Sequence, residues 1–193
     1  MNNNLNPEKL NQEIKELEEQ RDTIINLSIN LTRESKVLIY SIISENFEKA
    51  KKTLEKMNEL KKQLVELLDK YIIFYDNGKI GLQEYIEGVI LYEFIVNKKI
   101  PSRDEFPEVA LNEYLLGLMD FFGEALRYSV EQLSKDNIDI VEEIYENLKK
   151  IYSEFLLRLE VKNYELRRKL DYVNGILRRF SEYILEYRIH KKE

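Results

Sequence analysis

At 193 residues the chain is long enough for one domain with a substantial core, and two domains would be cramped. Apolar residues make up 44% and charged residues 34%, with a formal net charge of −6, the balance of a soluble globular protein with no global attraction for nucleic acid. The absence of cysteine excludes disulfides, thiolate zinc sites and cysteine nucleophiles, and the single histidine, His190, sits in the terminal HKKE, so acid–base or metal chemistry falls to carboxylates, lysines or tyrosines.

The first residues, MNNNLNPEKL, contain no apolar signal core, and no apolar run approaches the ~18 residues of a membrane span, which predicts a cytoplasmic protein. Abundant Lys, Glu, Ile and Tyr without Cys resemble a thermophile's composition. Only six glycines and three prolines interrupt the chain, so long helices are expected. Pro7 suits a first helical turn, and apolar residues recur at helical spacing from there to about Phe74. A break is expected near Ser44, which reads as a helix cap followed by the acids of Glu45 to Glu48. The heptad-like piece Leu54 to Lys70 is compatible with a coiled coil, but the nearly all-apolar segment from Gly81 to Phe122 belongs in a core or a large interface.

Asp76-Asn77-Gly78 reads as a turn, after which a helix runs to about Asn97. Pro101 and Pro107 bracket a loop. A helix is then predicted from about Glu108 to Leu133, a further one capped by Asp136 or Asn137 and reaching about Val161, and a last one from Tyr164 to Arg188. No strand-like alternation and no internal repeat occur. The expectation is a single all-α domain over residues 1–193, a bundle of six or seven helices.

Two of these helices carry acids on one stripe. At ~100° per residue, Glu84 and Glu87 fall with Gly88, Leu91 and Ile95, while Glu93 lies across the helix. Asp120 and Glu124 share a stripe with Glu113, Arg127 and Glu131, flanked by Gly117 and Gly123. Such a stripe is, by spacing alone, the wet side of an amphipathic helix. Three features favour more. Neither pair is answered by lysines at neighbouring turns, although like charges so spaced destabilise a helix. Glycines sit beside both pairs where alanine would make a better helix by ~1 kcal/mol. If the two apolar helices face each other, four carboxylates crowd one partly buried cleft, and buried uncompensated charge calls for a cation. Oxygen-only ligands favour Mg²⁺, Mn²⁺ or Ca²⁺ over zinc, and such a cluster suits cutting a phosphodiester.

The stretch EYLLGLMDFFGEALR, Glu113 to Arg127, resembles the signature helix of the translin superfamily, in particular its translin-associated factor X branch. LSINLTRESKVLIYSI, LQEYIEGVIL and LRRKLDYVNGILRRFSEYILEYRI resemble the family's other helices in matching order, so the resemblance covers most of the chain in four islands. It implies an all-α seven-helix subunit that assembles into a hollow, octamer-like shell and binds single-stranded RNA or DNA. It further implies that Glu84, Glu87, Asp120 and Glu124 match a Mg²⁺-dependent (or Mn²⁺-dependent) endoribonuclease site facing the interior, a set that the translin branch proper lacks. The rival expectations are a passive nucleic-acid-binding assembly and a purely structural helical scaffold. The loop between Pro101 and Pro107 is shorter than in the longer eukaryotic factor X chains, and a homo-oligomer is expected, an octamer for preference.

From Arg158 onward there are ten Lys/Arg against six Asp/Glu. Arg167, Arg168 and Lys169, with Arg178 and Arg179, are candidates to line a nucleic-acid path, and Tyr172, Phe180 and Tyr183 interleave with them as stacking candidates. Arg33, Lys36 and Arg127 are further candidates for phosphate contact. For each of these cations an ordinary surface position or an intrahelical ion pair is the competing assignment.

Overall fold

A computed structural model describes residues 5–191, and the expectations for residues 1–4 and 192–193 lie outside it. It contains six α-helices: α1 (Pro7–Ile43), α2 (Phe47–Lys70), α3 (Tyr75–Val96), α4 (Leu111–Ser134), α5 (Ile138–Arg158) and α6 (Tyr164–His190). Two 3-10 turns, Ile72–Phe74 and Arg103–Glu105, lie in the connections, and no strand occurs among the described residues. The all-α expectation holds, at the lower of the two helix counts. No helix among the described residues is long and apolar enough to cross a membrane.

Helix starts follow local chemistry. Asn6 caps α1 by accepting from the Lys9 amide at 3.0 Å, with Pro7 in the first turn. The break after α1 falls where expected, but its cap does not. Ser44 ends α1, and its hydroxyl donates back to the Tyr40 carbonyl at 2.8 Å. Asn46 is the residue that caps α2, accepting from the Lys49 amide at 3.1 Å. Between them Glu45 adopts φ 56°, a left-handed conformation that favours glycine. Gln132 and Lys135, at the end of α4, hold its carboxylate at 2.9 and 2.8 Å.

Asp76-Asn77-Gly78 is no turn; it forms the start of α3. The chain reverses just before it, through Tyr71 and the 3-10 turn Ile72–Phe74, and leaves Asp76 at a helix N-terminus, where an acid is favoured. Gly78 is buried against Leu68. Helix α4 begins at Leu111, three residues later than expected, because residues 108–110 still belong to the loop after Pro107. Helix α5 stops at Arg158.

Helix α3 is the centre of the molecule, with α1 on one side and α4 on the other. Glycine makes both approaches close. At Gly81 a Cβ would sit 2.8 Å from the Ser28 Cα of α1, and at Gly117 of α4 a Cβ would sit 2.5 Å from the Gln83 carbonyl oxygen of α3. Ser28 also accepts from the Gly81 amide at 3.0 Å, and Ser35 donates to the Glu84 carbonyl at 2.6 Å, which fixes α3 in register along α1. Phe121 packs edge-on against Phe94 and Phe122, with ring centroids 5.2 and 5.5 Å apart. The heptad-like piece is α2, laid along α1 with Met57, Leu64 and Leu68 buried in the same core. Helix α6 closes over α4 and α5 through Val173, Ile176, Leu177, Phe180 and Ile184.

Candidate active site

The Gly117 contact decides the site. By bringing the backbones of α3 and α4 together it sets Glu84 and Glu87 of α3 opposite Asp120 and Glu124 of α4, and all four line one open cleft of about 550 Å³. Helix α1 adds Lys36, Ile39 and Tyr40, and α6 adds Tyr172. The apolar residues that neighbour the acids on α3, Ile86 and Ile90, are fully buried, so the carboxylates stand at the edge of the core rather than on a wet helix face.

Glu87 is 9% exposed, and burial pushes its pKa up to about 9, reinforced by the charges of Glu84, Asp120 and Glu124. Glu84, half-buried, is raised for the same first reason; Lys36 opposes the shift, while Asp120 and Glu124 add to it. Neither carboxylate has a hydrogen-bond or ion-pair partner among the described residues. Asp120 differs: it accepts from Gln83 Nε2 at 2.7 Å and is paired with the Lys169 ammonium of α6. Glu124 is paired with Arg127 at 3.0 Å, one turn on.

The donor set suits a hard divalent cation. It offers four carboxylates and no nitrogen or sulfur ligand, and the two on α3 are unpartnered at the edge of a low-dielectric core. As they stand, however, no three His, Asp or Glu side chains among the described residues are gathered tightly enough to hold a metal ion. Asp120 and Glu124 are paired with Lys169 and Arg127, and the four acids share a cleft without closing on one point.

The remaining candidates divide. Lys36, Arg127 and Tyr172 line the cleft, and Arg179 and Tyr183 line a cavity that adjoins it. Arg127 thus combines the intrahelical pair with a place at the cleft. Arg178 is spent on Glu182 at 3.0 Å, and Arg167 donates to the Val161 carbonyl at 3.1 Å, closing the α5–α6 connection. Arg33 and Arg168 are exposed and line neither cavity. Phe180 is no stacking residue: it is 1% exposed and packs on Tyr145 at a centroid distance of 6.0 Å, because its stripe of α6 is the one turned to the core. Glu93 bonds Asn97 at 2.8 Å and takes no part in the cleft. Sequence reasoning missed Gln83, Tyr40 and the pairing of Lys169 with Asp120. Gln83 was within reach, since it sits at i−4 to Glu87; the other two come from helices distant in sequence.

Comparison with known proteins bears on this arrangement. A Translin family profile matches residues 8–191. The chain belongs to the Translin family. An uncharacterized protein of Methanocaldococcus jannaschii is 32% identical over 161 residues, covering 81% of this chain and 71% of that one. Among solved structures, apo-NeC3PO superposes with a TM-score of 0.90 at 41% identity, covering 96% of this chain and all of that one. AfC3PO, solved alone and as a complex with duplex RNA, superposes at 0.81 with 23% identity over 96% of this chain and 98% of that one, a likeness of fold. The expected resemblance to the translin superfamily is therefore borne out, over nearly the whole chain.

Proposed function

We infer that this Translin-family chain is a cytoplasmic, metal-dependent endoribonuclease of the factor X type, which cleaves single-stranded RNA as a homo-oligomeric shell. The observation that carries the reading is that Glu84, Glu87, Asp120 and Glu124 line one cleft, with the two α3 carboxylates free of hydrogen-bond and ion-pair partners among the described residues. AfC3PO, which shares the fold, is known in complex with duplex RNA. Glu84, Glu87, Asp120 and Glu124 would hold Mg²⁺ or Mn²⁺, which when bound supplies an activated water and charge neutralisation at the leaving oxygen. Lys36, without a hydrogen bond or ion pair among the described residues, stands at the cleft to take a phosphate oxygen, and Arg127 lines the same cleft as a second, partly committed donor. Lys169, paired with Asp120 across the gap between α4 and α6, would compete with a bound cation for that carboxylate. Single-stranded DNA fits the same cleft chemistry.

A second reading is a nucleic-acid-binding assembly without cleavage, favoured by the Lys169–Asp120 pair and by the dispersed positions of the carboxylates. The two separate in one experiment. Labelled single-stranded RNA is incubated with the purified protein in Mg²⁺ or in chelator, beside an Asp120→Ala/Glu124→Ala variant. The nuclease reading expects cleavage only by the unaltered protein in Mg²⁺. Cleavage indifferent to chelator and variant sinks the carboxylate mechanism, and tight binding without cleavage establishes the passive binder.

A further inference from the structure

The carboxylate cleft does not end at Arg127. A second cavity of about 450 Å³ continues from it along α4, and Tyr40, Gly123 and Arg127 line both. Its sides are Tyr40 and Ile43 of α1 and Arg179 and Tyr183 of α6, above Leu126 and Val130 of α4. Gly123 lies at the join. A Cβ there would meet only Ile176 Cδ1 at 3.7 Å and Tyr172 Oη at 3.9 Å, ordinary contacts, whereas a long side chain would fill the passage.

The groove's side chains are uncommitted. Tyr40 is 61% exposed and Tyr183 40%, and neither hydroxyl has a hydrogen-bond partner among the described residues. Arg179 likewise makes no hydrogen bond or ion pair there, in contrast to its neighbour Arg178, paired with Glu182. Glu131, on the rim, is paired with Lys135 at 3.7 Å. Two wet aromatic rings facing a floor of aliphatic side chains, with a free guanidinium beside them, match the two faces of a nucleotide: a flat base and a charged phosphate. A paired base keeps its faces inside the duplex and shows only its edges, so ring-on-ring stacking here needs an unpaired strand.

We propose that this second cavity is a base-stacking subsite for one or two unpaired nucleotides, with Tyr40 and Tyr183 taking the bases and Arg179 the phosphate. It feeds the strand into the carboxylate cleft, and the proposal in this respect rests on reading that cleft as the cleavage centre. Tyr40, Tyr183 and Arg179 are positioning residues and touch no reacting atom.

Fluorescence anisotropy in chelator reads binding without any cleavage. A labelled ribo-oligonucleotide of about eight residues is compared with the same strand made abasic and with a duplex of the same length. The unaltered protein is expected to bind the base-bearing single strand about tenfold tighter than the abasic strand or the duplex. Tyr40→Ala/Tyr183→Ala erases that difference and leaves abasic binding unchanged, and Tyr40→Phe/Tyr183→Phe restores it. Arg179→Ala weakens both single strands and lowers the salt dependence of binding. Equal affinity for base-bearing and abasic strands overturns the proposal. So does a Tyr40→Ala/Tyr183→Ala variant that loses native mass while keeping base discrimination, since the groove is then an interface between copies of the chain. Base discrimination without cleavage in Mg²⁺ leaves the subsite standing and removes the nuclease reading; cleavage without base discrimination does the reverse.

Discussion

Glu87 is the residue at which burial and charge conflict most. Its carboxyl has a pKa of about 9 in the folded chain against an ordinary 4.5, so between those values the folded state holds a proton that the unfolded state has released. Stability from this group is fully present below about pH 4.5 and is lost as pH rises toward 9. Urea unfolding in chelator is therefore expected to show stability falling from pH 5 to pH 9. Glu87→Gln should flatten that slope and gain ~1–3 kcal/mol at pH 8, where the native carboxyl must stay protonated or bear charge in the core. Parallel pH profiles for the two proteins would contradict the assignment. Lys169 poses the complementary case. Lys169→Met leaves Asp120 with only Gln83, at a pair that is partly wet, so a loss of ~1–2 kcal/mol in chelator is expected. By removing the competing ammonium, the same change should tighten Mg²⁺ binding in calorimetry; weaker binding would show that Lys169 organises the carboxylates instead of competing for them.

At the level of the helices, the approach of α3 to α4 sets the geometry on which the cleft depends. At Gly117 the approach leaves no room for a side chain, and the nearest atom a Cβ would meet is a backbone carbonyl oxygen, which cannot swing aside. Gly117→Ala should force the two helices apart and cost ~1–3 kcal/mol, measured by chemical denaturation. Gly175 supplies the contrast. It lies in α6 with nothing within 4 Å of a built Cβ, so Gly175→Ala should stabilise by ~0.5–1 kcal/mol through helix propensity alone. If both substitutions acted in the same direction, close packing at Gly117 would not be what positions the acids.

Over the molecule as a whole, α1 is the element that the bundle does not fully use. Of its 37 residues none before Ile24 is buried, yet Leu10, Ile14 and Leu17 keep a helical apolar stripe on the projecting part. A second apolar area lies at the α5–α6 corner, where Leu157 is 80% exposed beside Leu156 and Tyr164. Apolar stripes of this kind normally lie against another chain. A homo-oligomeric shell predicts a native mass of several subunits by sedimentation, and Leu10→Gln/Ile14→Gln/Leu17→Gln is expected to lower that mass with helicity retained. A monomeric unaltered protein would remove the shell from the proposed function.

The sequence by itself determined the helical class, five of the six helix starts to within a few residues, and the two acidic stripes, because each depends on spacing along a single helix. Spacing alone could not separate Asp120 and Glu124 from Glu113 and Glu131, which share their stripe. The tertiary structure does: Glu113 is buried under the Tyr75 hydroxyl at 2.7 Å, and Glu131 turns to Lys135, while Asp120 and Glu124 face α3. The same limit hid Tyr40 and the pairing of Lys169 with Asp120, and misplaced Phe180 among the exposed aromatics. Periodicity gives a side chain's angle about its own helix axis; which helix stands opposite, and how close a glycine lets it come, is decided only when the helices pack.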